Sequence, residues 1–267
     1  MASKTLVYKG IKVSYDFRKK KGKITVVLLH GFLESRKVWT DYVKELSKKY
    51  AVLNIDLLGH GDTECTAYVH TMEEMAGMVR AVLKAHDVRK GFLVGHSMGG
   101  YVALAFAEKY PDNVKGICLF NSSAFSDTAE KQKDRDRAIK VVKNNHKRFV
   151  REVIPNLFTR MDTPALRAAL KHTMKGALGT SKQGIIAALE GMKIRENREI
   201  VLKFTPCPVF FIIGKKDGLL DYKKLIEQSK LNENGAYYLS ETGGHLCFFE
   251  DKYPCLTALI KFIGSTN

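Results

Sequence analysis

The stretch Gly91-Phe92-Leu93-Val94-Gly95-His96-Ser97-Met98-Gly99-Gly100-Tyr101-Val102-Ala103-Leu104-Ala105-Phe106-Ala107 runs from an apolar, strand-like segment through a glycine-flanked serine into a helix-like segment. Ser97 therefore stands at a strand-to-helix corner. Small residues are needed at Gly95 and Gly99 because the helix must lie close against the strand, where a β-carbon would clash. The tight turn holds the serine in a strained backbone conformation. That geometry exposes the hydroxyl above the sheet edge. It also sets the N–H of Met98 at a helix N-terminus, where partial positive charge favours an oxyanion. The pattern is Gly-x-Ser-x-Gly, a nucleophile elbow.

Working outward, the chain before the elbow alternates strand and helix signals. Lys12 to Phe17 alternates as a half-exposed strand does. Ile24 to Leu29 is a continuous apolar run, as expected of a strand buried on both faces. It ends in His30-Gly31-Phe32, the place for a second oxyanion donor, and the Phe32 N–H is the candidate. Trp39 to Tyr50 reads as an amphipathic helix, and Ala51 to Asp56 as the next strand. His60, in the following glycine-punctuated loop, is read as structural, since no later residue repeats a metal-ligand spacing with it. Thr71 followed by Glu74 is a capping-box pattern opening a helix that runs to about His86.

Beyond the elbow, Val114 to Asn121 supplies another buried strand, and then the alternation breaks. Residues 126–203 hold helical patterns near Ile139-Val141-Val142, Phe149-Ile154, Pro164-Met174 and Gly184-Met192, and no convincing strand. This segment carries 18 Lys and Arg against 9 Asp and Glu, more than half of the chain's basic surplus. Strand pattern returns at Pro208 to Gly214 and at Tyr237 to Leu239, and a last helix is expected over Phe248 to Ile263. The expected organisation is an α/β core, residues 1–125 and 204–267, interrupted by a helical cap, residues 126–203.

A serine hydroxyl needs a base within hydrogen-bond reach, and the base needs a carboxylate to fix its tautomer. In α/β sheets ligands lie beyond the carboxyl ends of the strands, so the partners belong on loops that follow strands. Lys215-Lys216-Asp217-Gly218 offers Asp217 as the acid, with Asp221 the runner-up and better placed to cap the next helix. Asn121 cannot ionise and so cannot replace it. Thr242-Gly243-Gly244-His245 offers His245 as the base. Cys247 lacks a strained turn and is read as a packing residue. The order Ser, Asp, His on three such loops is that of one group of serine hydrolases.

At 267 residues the chain suits one α/β domain with an insertion, and no segment approaches the ~18 apolar residues of a membrane span. The N-terminus, Met1-Ala2-Ser3-Lys4-Thr5-Leu6, has no hydrophobic leader pattern. Five cysteines without paired spacing fit reduced thiols, so a cytoplasmic location is expected. The net charge of +16 is spread along helix faces. Its one tight cluster, Arg18 to Lys23, is read as a solvated hairpin turn. That distribution points to solubility, or to attraction of an anionic small molecule, and not to nucleic acid.

Together, His30-Gly31-Phe32, Gly59-His60-Gly61, Gly95 to Gly100, Gly214 to Asp217 and Gly244-His245 resemble the pattern of the α/β-hydrolase superfamily over nearly the whole chain. The resemblance implies a mostly parallel eight-stranded sheet flanked by helices, with the helical insertion as a lid. It implies Ser97, Asp217 and His245 as a catalytic triad, the Phe32 and Met98 N–H groups as an oxyanion hole, and neither cofactor nor metal. The serine argues against the haloalkane dehalogenases and epoxide hydrolases of the superfamily, which carry aspartate at the elbow. The expected activity is cleavage of a small-molecule carboxylic ester or thioester, with an anionic substrate group allowed. Carbon–carbon bond hydrolases, the lyase of a menaquinone precursor, and non-catalytic receptors that retain the triad share the layout. The oligomeric state stays open.

Overall fold

A computed structural model describes residues 3–266 of the chain. Met1, Ala2 and Asn267 lie outside the described residues, and with them the start of the stretch read for a leader and the two outer ends of the expected core. In chain order the elements are β1 (Lys4–Tyr8), β2 (Ile11–Arg18), β3 (Thr25–Leu29), α1 (Thr40–Leu46), β4 (Ala51–Ile55), α2 (Met72–Lys84), β5 (Gly91–His96), α3 (Met98–Lys109) and β6 (Val114–Phe120). There follow α4 (Ala129–Val153), α5 (Pro164–Leu178), α6 (Lys182–Lys193), α7 (Glu199–Phe204), β7 (Val209–Gly214), α8 (Tyr222–Ser229), β8 (Gly235–Ser240), α9 (Cys247–Glu250) and α10 (Lys252–Ser265).

The eight strands form one sheet in the order β1-β2-β4-β3-β5-β6-β7-β8. β1 and β2 are antiparallel additions to one edge, and β3 to β8 are parallel. The inner parallel strands β3 to β7 are buried on both faces because helices cover both, while the edge strand β8 stays partly exposed. At Gly91 a side chain would meet Leu83 of α2, whereas the neighbouring Phe92 ring lies against Phe262 of α10, so these two helices lie on opposite faces. The chain reverses direction across the sheet between β3 and β5, which opens a crevice at their carboxyl ends. The four helices α4 to α7 are inserted between β6 and β7. Among the described residues no helix is long and apolar enough to cross a membrane.

Several local expectations need correction. The Arg18–Lys23 cluster is not a hairpin turn, because β2 pairs with β4 and not with β3. The chain crosses past β4 there, with Lys20 Nζ donating to the Ser47 and Lys48 carbonyls. The hairpin is β1–β2, turning at Lys9-Gly10, both at positive φ as the favoured two-residue turn requires. The strict alternation of Lys12–Phe17 fails because Val13, Ser14 and Tyr15 are all buried; the Ser14 hydroxyl lies 2.7 Å from that of Ser3, and its N–H donates to Thr63 Oγ1 in the loop after β4 at 2.9 Å. The helix expected from Trp39 begins as a 3-10 turn, Arg36–Trp39, and α1 ends at Leu46. The last helix is two, broken at Asp251 (φ −130°). Thr71 does cap α2, its hydroxyl accepting from the Glu74 N–H at 3.1 Å.

In the insertion, the two patterns near Ile139 and Phe149 are the halves of α4. Asn145 interrupts it with φ −150° and ψ 89°, and its side chain caps the second half by accepting from the Arg148 N–H at 3.0 Å. Val141 faces solvent, so only Ile139 and Val142 of that pattern are buried.

Candidate active site

The register brings the carboxyl ends of the parallel strands level. Leu29 pairs with Gly95, Gly95 with Leu119, and Leu119 with Phe211. The loops leaving these ends carry Phe32, Ser97, Asn121, Asp217 and, after β8, His245.

Ser97 has φ 47° and ψ −114°, a left-handed conformation that costs a non-glycine residue of order 1–3 kcal/mol. Close packing holds it there. A β-carbon on Gly95 would strike the Gly99 carbonyl, and one on Gly99 would strike the Leu29 carbonyl. The Ser122 hydroxyl donates to the Ser97 carbonyl at 2.7 Å and fixes the turn from the next strand.

The structure brings the three side chains together. The Ser97 hydroxyl lies 3.1 Å from His245 Nε2, and His245 Nδ1 lies 2.8 Å from Asp217 Oδ2. Asp217 Oδ2 also accepts from the Asn121 amide at 2.9 Å, and Oδ1 accepts from the N–H groups of Leu219 and Leu220 at 2.8 and 3.2 Å. Burial opposes the Asp217 charge, but the adjacent His245 and these donors outweigh it and hold the carboxyl below its usual range. Burial likewise opposes protonation of His245, and the Asp217 charge, aided by Glu34, overcomes it and raises the imidazole above its ordinary 6.5. Asp221 stands apart and caps α8, accepting from the Lys223 N–H at 2.9 Å.

Among the described residues the loops after β3 and β5 each carry a backbone N–H without a partner. Among the described residues neither the Phe32 N–H nor the Met98 N–H donates to a protein acceptor. Met98 opens α3, so the helix dipole adds to its donor strength.

Other residues at the centre have roles that their place in the sequence does not show. Asn121 (φ 42°) donates to Asp217 and to the Gly244 carbonyl, and accepts from the Gly214 N–H and the Cys247 thiol. Cys247 is therefore tied into the support of the acid and the base, and burial pushes its thiol well up. His96 Nδ1 lies 3.1 Å from Glu34 Oε2, and its Nε2 lies 3.0 Å from the His245 carbonyl. His30 is buried and depressed to about 4 by burial, so it is neutral; Nδ1 donates to the Gly31 carbonyl and Nε2 accepts from the Leu57 N–H. His60 is buried against His30 and Phe32 and lowered by burial to about 3. Among the described residues no group of three or more His, Cys, Asp or Glu side chains is arranged to hold a metal ion.

Above Ser97 is a cavity of ≈ 380 Å³. Its floor is Phe32, His96, Ser97 and His245, and its roof is the inserted segment: Phe149 and Val153 of α4, Leu157, and Leu189 and Met192 of α6. Lys131, Asp134 and Arg135 of α4 supply charge to a mostly apolar wall.

Residues 24–163 match the model of a family described as alpha/beta hydrolase fold. The chain is 25% identical to a proline iminopeptidase of Flavobacterium johnsoniae, over 92% of this chain and 91% of that one. It is 32% identical to an uncharacterized hydrolase of Bacillus subtilis over 43% of each chain. Among solved structures, a thermophilic esterase from Thermogutta terrifontis, determined with malate bound, superposes with a TM-score of 0.91 at 25% identity, covering 100% of this chain and 99% of that one. The enol-lactonase of Burkholderia xenovorans superposes at 0.89 with 20% identity, covering 98% and 100%, a likeness of fold.

Proposed function

The chain belongs to the alpha/beta hydrolase fold family, and from that premise we propose that it is a cofactor-independent serine hydrolase of small carboxylic esters or thioesters. What supports the reading is the unbroken relay from Asp217 through His245 to Ser97, beside two undonated backbone N–H groups. Ser97 Oγ attacks the ester carbonyl as His245 Nε2 takes its proton. The N–H groups of Phe32 and Met98 receive the oxyanion, a contribution worth about 3–4 kcal/mol per donor in other hydrolases. The intermediate collapses to an acyl-enzyme, and the alcohol or thiol leaves with the proton from His245. Water then loses a proton to His245 and attacks the acyl carbon, and the acid departs as the proton returns to Ser97. Residues 126–203 act as the lid that shapes the acyl and alcohol pockets.

The iminopeptidase likeness favours a second reading, removal of an N-terminal proline. That substrate carries a positive amine and needs an uncommitted carboxylate. The two acids lining the cavity are already engaged, Glu34 with His96 and Asp134 with Arg137. Ester cleavage is the better fit.

Purified protein should turn over p-nitrophenyl butyrate and leave proline β-naphthylamide intact. Ser97→Ala should lose roughly a millionfold in turnover while keeping its fold. A folded Ser97→Ala protein with near-parental activity overturns the assignment. A parental protein inert to every ester, yet binding small molecules in the cavity, would make it a receptor.

A further inference from the structure

The lid side of the cavity carries positive charge that its own acids do not balance. Asp127, buried at the start of the insertion, is shared by two guanidinium groups, Arg135 and Arg195. Burial opposes its charge, and the two arginines overcome this and hold the carboxyl low. One carboxylate between two guanidiniums leaves one positive charge over. Arg195 also stacks on the ring of Tyr101, 4.0 Å away, and Tyr101 and Arg135 both line the cavity. Of the acids at the wall, Asp134 is paired with Arg137, and Glu34 with His96.

Lys131 adds a second unbalanced charge. It projects from the first turn of α4, and among the described residues no carboxylate lies within salt-bridge distance of it. Its Nζ donates to the Leu219 carbonyl at 3.1 Å, on the loop that carries Asp217. Leu219 and Leu220 line the same cavity, so the ammonium sits on an apolar rim. Its charge also opposes protonation of His245, which places it within electrostatic reach of the reacting groups.

Building on the serine-hydrolase reading, we infer that the cavity selects esters bearing a carboxylate remote from the scissile bond, with Lys131 as the specificity-determining residue that receives it. The apolar roof takes the chain between the two groups, and the surplus charge of the Asp127 cluster adds long-range attraction. An ammonium bound by a single carbonyl keeps two N–H donors for a ligand.

The test compares mono-p-nitrophenyl glutarate with p-nitrophenyl pentanoate, which differ in charge and little in length. The ratio of their kcat/KM values should favour the anion in the parental protein and fall about tenfold in Lys131→Met. Lys131→Arg should restore it. The preference should weaken with rising salt, as the screening length shrinks from about 30 Å at 0.01 M to about 3 Å at 1 M. An unchanged ratio in Lys131→Met, or equal salt dependence for the two esters, overturns the inference and leaves the hydrolase reading intact. If neither ester is cleaved, calorimetry with glutarate on Ser97→Ala protein still decides. Binding that is lost on adding Lys131→Met supports the carboxylate site, and binding indifferent to it refutes the site.

Discussion

The Glu34 carboxylate and the His96 imidazole form a buried pair, 3.1 Å apart, each side chain 1% exposed. The second nitrogen of His96 lies 3.0 Å from the backbone carbonyl of His245. Both ring nitrogens therefore face oxygen acceptors. Burial opposes the Glu34 charge, but His96 and the Gly31 N–H outweigh it and hold the carboxyl below its ordinary 4.5. The pair joins three parts of the centre: the loop of Phe32, the residue before Ser97, and the backbone of His245.

Glu34→Gln should destabilise the protein by about 3 kcal/mol near neutral pH, the usual cost of stranding one member of a buried pair. The folded pKa of Glu34 is depressed, so its stabilisation is fully present above pH 4.5 and is lost as pH falls through the folded value. Urea denaturation of both proteins should show their difference narrowing in acid. A difference that is small at neutrality, or constant with pH, would mean the pair contributes little.

On the proposed mechanism the acid side of the pH–rate profile should report His245, which must be neutral to act as base. Burial lowers its pKa and Asp217 raises it, with a net rise, so the parental acid limb should have its midpoint above 6.5. Asp217→Asn removes the raising influence and leaves burial. The limb should shift to lower pH while the plateau falls by about four orders of magnitude. Asp221→Ala should instead cost about 1 kcal/mol of stability through its lost cap and leave the profile unmoved. A damaging Asp221 change with a mild Asp217 change would reverse the assignment of the acid.

What the sequence could reveal here is what lies close along the chain. Ser97, Asp217 and His245 each follow an apolar run and stand beside glycines, and that local pattern is enough to single out three side chains that the fold brings within hydrogen-bond reach. The two halves of α4 show as separate patterns because Asn145 resets the helical phase, so one kinked helix looks like two. β1 leaves no hydrophobic period in the sequence because it is an edge strand with mostly exposed residues. The supports of the centre are pairings through space: Glu34 with His96 across 62 residues, Asn121 with Asp217 across 96, Thr159 with Glu250 across 91. Each pair joins polar residues far apart along the chain. Arg36 is buried beside Asp16, Asp56 and Asp62, which only the folded chain brings together.

Glu250 links the inserted segment to the loop of His245, and that link should be visible in kinetics. One carboxylate oxygen accepts from the Thr159 N–H at 2.6 Å and its hydroxyl at 2.8 Å; the other accepts from the Gly244 N–H at 2.6 Å. Thr159 also presses on Gly244 so closely that a β-carbon there would strike its methyl group. The loop after α4 in the inserted segment and the residue before His245 thus share one anchor. Glu250→Gln offers an amide where a carboxylate oxygen met a donor, so one of the two sides loses its bond. A small displacement of His245 follows, and misplacement by about 1 Å can cost a hundredfold. Glu250→Gln should therefore lower kcat by about ten- to a hundredfold and raise KM as the lid loosens. Thr159→Val keeps the backbone bond and removes only the hydroxyl, so it should raise KM with kcat nearly unchanged. Steady-state kinetics on p-nitrophenyl butyrate distinguishes the two. Parental kcat in Glu250→Gln would show that the lid and the His245 loop are held independently.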